Sequence, residues 1–179
     1  CASGGIWVGA CPSSTPFRKG ALLVTGIDMP QSPLNGLRER MEAALAGMPG
    51  DRARFVVIGC DHGARIQPLA AADVATFSLI CTGMLPPSFV EYALRGGADG
   101  VLVTGCSDGG CAFRLGQRWT RERLLGLREP HLRRSVPGER LETVWADAGD
   151  EAAVEAALAV LRLRVSGAAA PSHAKLRYG

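Results

Sequence analysis

The chain lacks any apolar run long enough to cross a bilayer. Its longest, such as Ala21–Val24 and Phe55–Ile58, fall far short of the ~18–20 residues a spanning helix needs. No basic-then-apolar signal segment opens it. Aromatic residues are scarce, three Trp, two Tyr and five Phe in 179 residues, and they do not interleave with basic residues as a stacking surface for nucleic acid would. The net charge of +3 is too small to imply a nucleic-acid partner, and no internal repeat is visible.

What is present is a composition of 47% hydrophobic and 21% charged residues, that of one ordinary globular domain. A chain this long buries roughly two-thirds of its unfolded surface, so it needs neither disulfides nor a metal merely to fold. Its six cysteines therefore call for another explanation. The first residue is Cys1 rather than Met, which suggests a piece of a longer polypeptide. The segment is expected to be cytoplasmic, with membrane association through a further N-terminal part left open.

From Arg54 onward, short apolar runs alternate with longer amphipathic stretches, the pattern of βαβ units. The predicted strands are Arg54–Gly59, Ala75–Ile80, Gly100–Thr104 and Leu141–Ala146. Each is a nearly continuous apolar run, as in a parallel sheet covered on both faces. The predicted helices are Leu34–Met48, Ala64–Ala72, Pro87–Gly96, a basic segment from Gln117 to about Arg134, and a last helix with Val154, Leu158 and Leu161 on one face. Asp147 or Asp150 is available to cap that last helix. The fold class is α/β: an open, mostly parallel four-stranded sheet of flavodoxin-like order 2-1-3-4 with helices on both faces.

The boundaries read as a lead-in over 1–33, a linker helix over 34–50, the α/β domain over 51–165 and a disordered tail over 166–179. Between Ala112 and Arg140, eight Arg stand against three Glu, a local excess of five positive charges. This stretch is either a solvated helical face or a docking surface for an acidic partner.

The cysteines matter by position. Cys60, Cys81 and Cys106 end three successive strands, and carboxyl ends of neighbouring parallel strands lie about 4.8 Å apart along the edge where such sheets bind ligands. Cys111, in a loop with Gly109 and Gly110, can fold back to the same edge. Four cysteines suit an iron–sulfur cluster or a structural zinc, and ligand count does not separate the two. The pattern lacks the paired close-spaced knuckles usual for zinc. A different reading makes Cys106 a nucleophile at a strand-to-loop junction with His62 as base, as in a hydrolase, and a last one is a binding module without a cluster.

The segment Cys1 to Pro12 has the frame C-x2-C-x2-C-x3-C-P of a bacterial ferredoxin, with Gly4 and Trp7 where the second and third cysteines belong. It reads as a degenerate ferredoxin-like remnant, and no [4Fe–4S] cluster is expected on it.

Three strings carry a family resemblance: Ile80-Cys81-Thr82-Gly83, the run from Gly97 to Cys106, and Cys111 followed by Phe113. With them, residues 54–148 resemble the delta subunit of methyl-viologen-reducing hydrogenase, the hydrogenase iron–sulfur subunit. The resemblance implies a thiolate-bound [2Fe–2S] cluster held by Cys60, Cys81, Cys106 and Cys111. It implies electron transfer between a hydrogenase or formate dehydrogenase and a flavin- or iron–sulfur-containing, heterodisulfide-reductase-like partner. Some members are fused behind ferredoxin or cytochrome b modules. The chain departs from the family at Gly63, where a further cysteine is usual, and at Ser107 and Ala112, where histidine is common. The expected role is thus an electron-transfer subunit or domain of an oxidoreductase rather than a stand-alone catalyst. Glycine N–H groups of residues 63, 83, 109 and 110 are available to bond the cluster's sulfurs.

Overall fold

Odd and even residues of the central strands bury on opposite faces, because successive side chains of a strand alternate. Val56, Ile58, Val101 and Val103 join one apolar cluster, while Phe55, Val57 and Leu102 join another. That double burial explains why these strands read as unbroken apolar runs. The computed structural model describes residues 33–167, and within it β1 (Phe55–Cys60), β2 (Val74–Leu79), β3 (Gly100–Gly105) and β4 (Leu141–Trp145) form one sheet. Its order is β2-β1-β3-β4 and every neighbouring pair is parallel, as the sequence pattern predicts.

On one face lie α1 (Leu34–Gly47) and α2 (Ser88–Arg95). The stripe Leu34, Leu37, Met41 and Leu45 of α1 is almost wholly buried against the sheet, so the helix expected as a linker packs into the domain's own core. On the other face Val154, Leu158 and Leu161 of α4 (Glu151–Val165) cover β1 and β3. The remaining helix, α3 (Gly116–Leu124), packs on a short 3-10 turn at Thr82–Met84, beyond the carboxyl end of the sheet.

Three local expectations are corrected. The stretch Ala64–Ala72 is extended chain with only a 3-10 turn at Gln67–Leu69, because Ala64 and Ile66 are drawn into the lower core and Pro68 starts the turn. The basic helix stops at Leu124, and the chain continues as a loop tied back by Glu91 of α2, which accepts from the Arg133 N–H and pairs with its guanidinium (3.4 Å). Asp150 stands at the start of α4 without a side-chain cap. Glu151 accepts from the Gly149 and Arg65 N–H groups instead, and Asp147 serves the site below. The ferredoxin-like frame of residues 1–12 and all but Ser166 and Gly167 of the expected tail lie outside the described residues.

Candidate metal centre

Cys60 is the last residue of β1, Cys81 lies two residues beyond β2, and Cys106 follows β3 directly. Because those strands are neighbours and parallel, all three thiols emerge at one edge. Cys60 and Cys106 have their sulfurs 3.9 Å apart. Cys81 and Cys111 both lie against Gly116, at the first turn of α3, where a Cβ would collide with the Cys81 sulfur and lie 3.5 Å from that of Cys111. A Cβ on Gly83 would meet the Cα of Gly116 at 2.8 Å, so this glycine pair lets α3 approach the turn after β2. All four are free thiols; Cys60, Cys81 and Cys106 are buried and Cys111 is half-buried.

Backbone N–H groups lie beside three of these sulfurs. Gly83 donates to Cys81 at 3.3 Å, and the N–H groups of His62 and Ala112 lie near enough to Cys60 and Cys106 to favour their thiolates. Of the glycines expected as donors only Gly83 serves. Gly63 donates to the Cys60 carbonyl and Gly110 to that of Ser107.

The thiols differ in acidity. Hydrogen bonding to Cys81 and burial push Cys60 well above the ordinary thiol range. The hydrogen bond from Cys60, aided by the Gly83 N–H, holds Cys81 below it. Burial, reinforced by Cys60, pushes Cys106 up to about 11. An activated nucleophile needs the opposite, a lowered pKa and access to solvent. Cys106 is 1% exposed, and the His62 ring packs edge-on to Phe113 with centroids 5.4 Å apart.

Two aspartates hold the Cys106–Cys111 loop: Asp108, which the sequence pattern does not single out, and Asp147, expected only as a possible helix cap. Asp147, just past β4, accepts from the Ser107 N–H at 2.9 Å and from the Ser107 hydroxyl, which also keeps its carboxyl below the usual range. Asp108 accepts from Gln117 and pairs with Arg121, both on α3, at 2.9 Å. The signal available in the sequence was an aspartate at the end of a strand and another inside the cysteine loop.

The basic stretch is largely neutralised within the fold. Arg118 and Arg128 share Glu122, Arg121 takes Asp108, Arg133 takes Glu91 and Arg140 takes Asp99. Among the described residues, Arg114 and Arg134 are the exposed arginines of this stretch without such a partner. Arg114 has φ +64°, a left-handed backbone rare for a side chain of its size. It stands between exposed Phe113 and Leu115; Leu125 and Leu127 are exposed at the far end of α3.

Among the described residues no group of three or more His, Cys, Asp or Glu is arranged to hold a metal ion as it stands, and no helix is long and apolar enough to cross a membrane. The donor set nonetheless suits an iron–sulfur cluster: four soft sulfurs at one edge, the Cys81 sulfur met by the Gly83 N–H, and a cradle that a Cβ at Gly116 would fill.

Parallel sheet, strand-end cysteines and glycine-lined cradle define an α/β module with a thiol-rich centre at its carboxyl edge. Over residues 59–166 the chain matches the family model described as methyl-viologen-reducing hydrogenase, delta subunit, and it belongs to that family. It is 33% identical over 78 residues to a ferredoxin:CoB-CoM heterodisulfide reductase subunit of Methanosarcina mazei, covering 44% of this chain and 10% of that protein. It is 29% identical over 78 residues to the F420-non-reducing hydrogenase vhc iron-sulfur subunit of Methanococcus voltae, 44% of this chain and 54% of that one. With the F420-non-reducing hydrogenase iron-sulfur subunit of Archaeoglobus profundus it shares 34% over 65 residues, 36% and 47% of the two chains. The chain thus spans about half the length of these hydrogenase subunits and a tenth of the reductase subunit.

Proposed function

We propose that this protein is an electron-transfer module of a hydrogenase or heterodisulfide-reductase-like complex, with a [2Fe–2S] cluster held by Cys60, Cys81, Cys106 and Cys111. The observation that supports this reading is the placement of four thiols at one sheet edge, Cys60 beside Cys106 and Cys81 and Cys111 both against Gly116, with the Gly83 N–H donating to Cys81. Such a cluster, when bound, accepts and gives up one electron at a time. The chain's part is to release the thiol protons on loading, Cys60 and Cys106 being the most reluctant, and to keep water from the three buried sulfurs. The N–H donors favour negative charge on the sulfurs and so raise the potential.

The module works in the cytoplasm on this reading, and its partners are flavin- or iron–sulfur-containing subunits. Phe113, Arg114 and Leu115, all exposed beside Cys111, are the surface we assign to docking. Anaerobic purification followed by iron, sulfide and zinc analysis, with EPR of the reduced protein, tests the reading. Two irons and two sulfides per chain are expected. Zinc without sulfide makes this a structural site, and a metal-free protein makes it a binding module.

A further inference from the structure

Arg123 carries a charge that the fold does not balance. Its Nη1 donates to the Gly83 carbonyl at 3.0 Å, its Nε is buried without a hydrogen-bond partner, and no carboxylate of the described residues pairs with it. Five arginines of the same stretch each have a carboxylate, and the other two, Arg114 and Arg134, are in solvent. A guanidinium keeps its proton in proteins, so it cannot escape burial by becoming neutral. Arg123 is half-buried with its Nε wholly buried, so part of its charge is withdrawn from water without a counter-charge, and the nearby Arg128 makes the position worse. Something negative belongs close to it.

The carbonyl that Arg123 grips belongs to Gly83, the residue whose N–H reaches the Cys81 sulfur. The cation is therefore one residue removed from the thiol edge. Four thiolates and two sulfides around two ferric ions leave a net charge of minus two, and a one-electron reduction makes it minus three. Positive charge held near such a group favours the more negative, reduced form.

We propose that Arg123 is the counter-charge of the four-cysteine centre, acting through its field from its place on the Gly83 carbonyl, so that the centre is easier to reduce. It is a positioning and tuning residue that acts without touching the electron carrier. The inference rests on the iron–sulfur reading above.

The test is a redox titration, by EPR and visible absorbance, of the anaerobically prepared protein and of Arg123→Met, Arg123→Gln and Arg123→Lys. Met and Gln are expected to move the midpoint potential to more negative values at full iron and sulfide content, and Lys to stay near the wild type. Unmoved potentials in Met and Gln overturn the proposal, as does a Lys variant displaced as far as Met. Where Met and Gln do not load but Lys does, charge is what loading needs, in support; failure of all three marks a bare structural anchor and overturns it. In the iron-free protein, where the cation has no counter-charge, Arg123→Met should leave the melting temperature unchanged or higher, whereas an equal fall in both forms again marks an anchor. Wild-type protein without iron and sulfide sinks the underlying reading and this inference with it; loaded protein with unmoved potentials sinks the inference alone.

Discussion

A Cβ on Gly116 would overlap the sulfur of Cys81. The first turn of α3 can therefore approach the loop after β2 only with glycine at that position, and this approach brings Cys111 toward the three strand-end thiols. Gly116→Ala should force the helix and the loop apart. Overpacking of this kind typically costs about 1–3 kcal/mol. We expect a folded protein with a lower melting temperature and less than half the iron and sulfide of the wild type. Gly47→Ala, where a Cβ meets nothing within 4 Å, is the control and should load normally.

The raised pKa of Cys106 makes the iron-free, reduced protein sensitive to alkali. Its thiol titrates near 9 when unfolded and at about 11 in the fold, so the folded state holds the proton more tightly between those values. That contribution is full below pH 9 and is lost as pH rises through 11, at up to about 1.4 kcal/mol per pH unit. Cys60, also raised, acts in the same direction. Thermal melts from pH 8 to 11 should fall more steeply for the wild type than for Cys106→Ala; parallel curves would refute the assignment.

Asp147 holds Ser107 by two hydrogen bonds, and Ser107 adjoins Cys106. Replacing it with Asn keeps the shape and removes the charge. Partners behind metal ligands commonly govern retention by about 10- to 100-fold, and the lower figure is expected here, since Ser107 is not itself a ligand. Iron release to a chelator measures it. The same bonds keep the Asp147 carboxyl ionised below its usual range, so they persist as pH falls through the ordinary carboxylate range and are lost once it protonates at its lowered pKa.

Docking and assembly should separate by mutation. Phe113→Ser with Arg114→Glu alters two exposed side chains outside the side-chain hydrogen bonds and ion pairs that hold the loop, the Phe113 ring packing edge-on to that of His62. It should slow electron transfer with the redox partner several-fold and reduce its salt dependence, at unchanged iron content. Arg121→Glu puts a like charge against Asp108 and should lower iron content itself. Equal effects of both variants on iron content would show that the patch belongs to the loop's structure and not to docking.

Residue order along the chain was enough to settle the sheet, its strand order and the strand ends beside which Cys60, Cys81 and Cys106 fall. Strand runs such as Phe55–Ile58 and Val101–Val103 announce burial on both faces locally, and parallel pairing then puts the residues that follow them together. The same local logic failed for Ala64–Ala72, where the stretch's apolar members are claimed by a distant core rather than by a helix of their own. Packing of the elements settled the state of the charges and the sulfurs' surroundings. Arg133 finds Glu91, Arg123 grips Gly83 and Asp147 holds Ser107, each across about forty residues of chain, and no periodicity records such partners. A run of arginines therefore reads as a basic face until folding brings most of them a carboxylate, and leaves Arg123 half-buried without one. Apolar burial is written in the order of neighbours along the chain, whereas hydrogen bonds and ion pairs depend on angles and distances that exist only once the elements have packed.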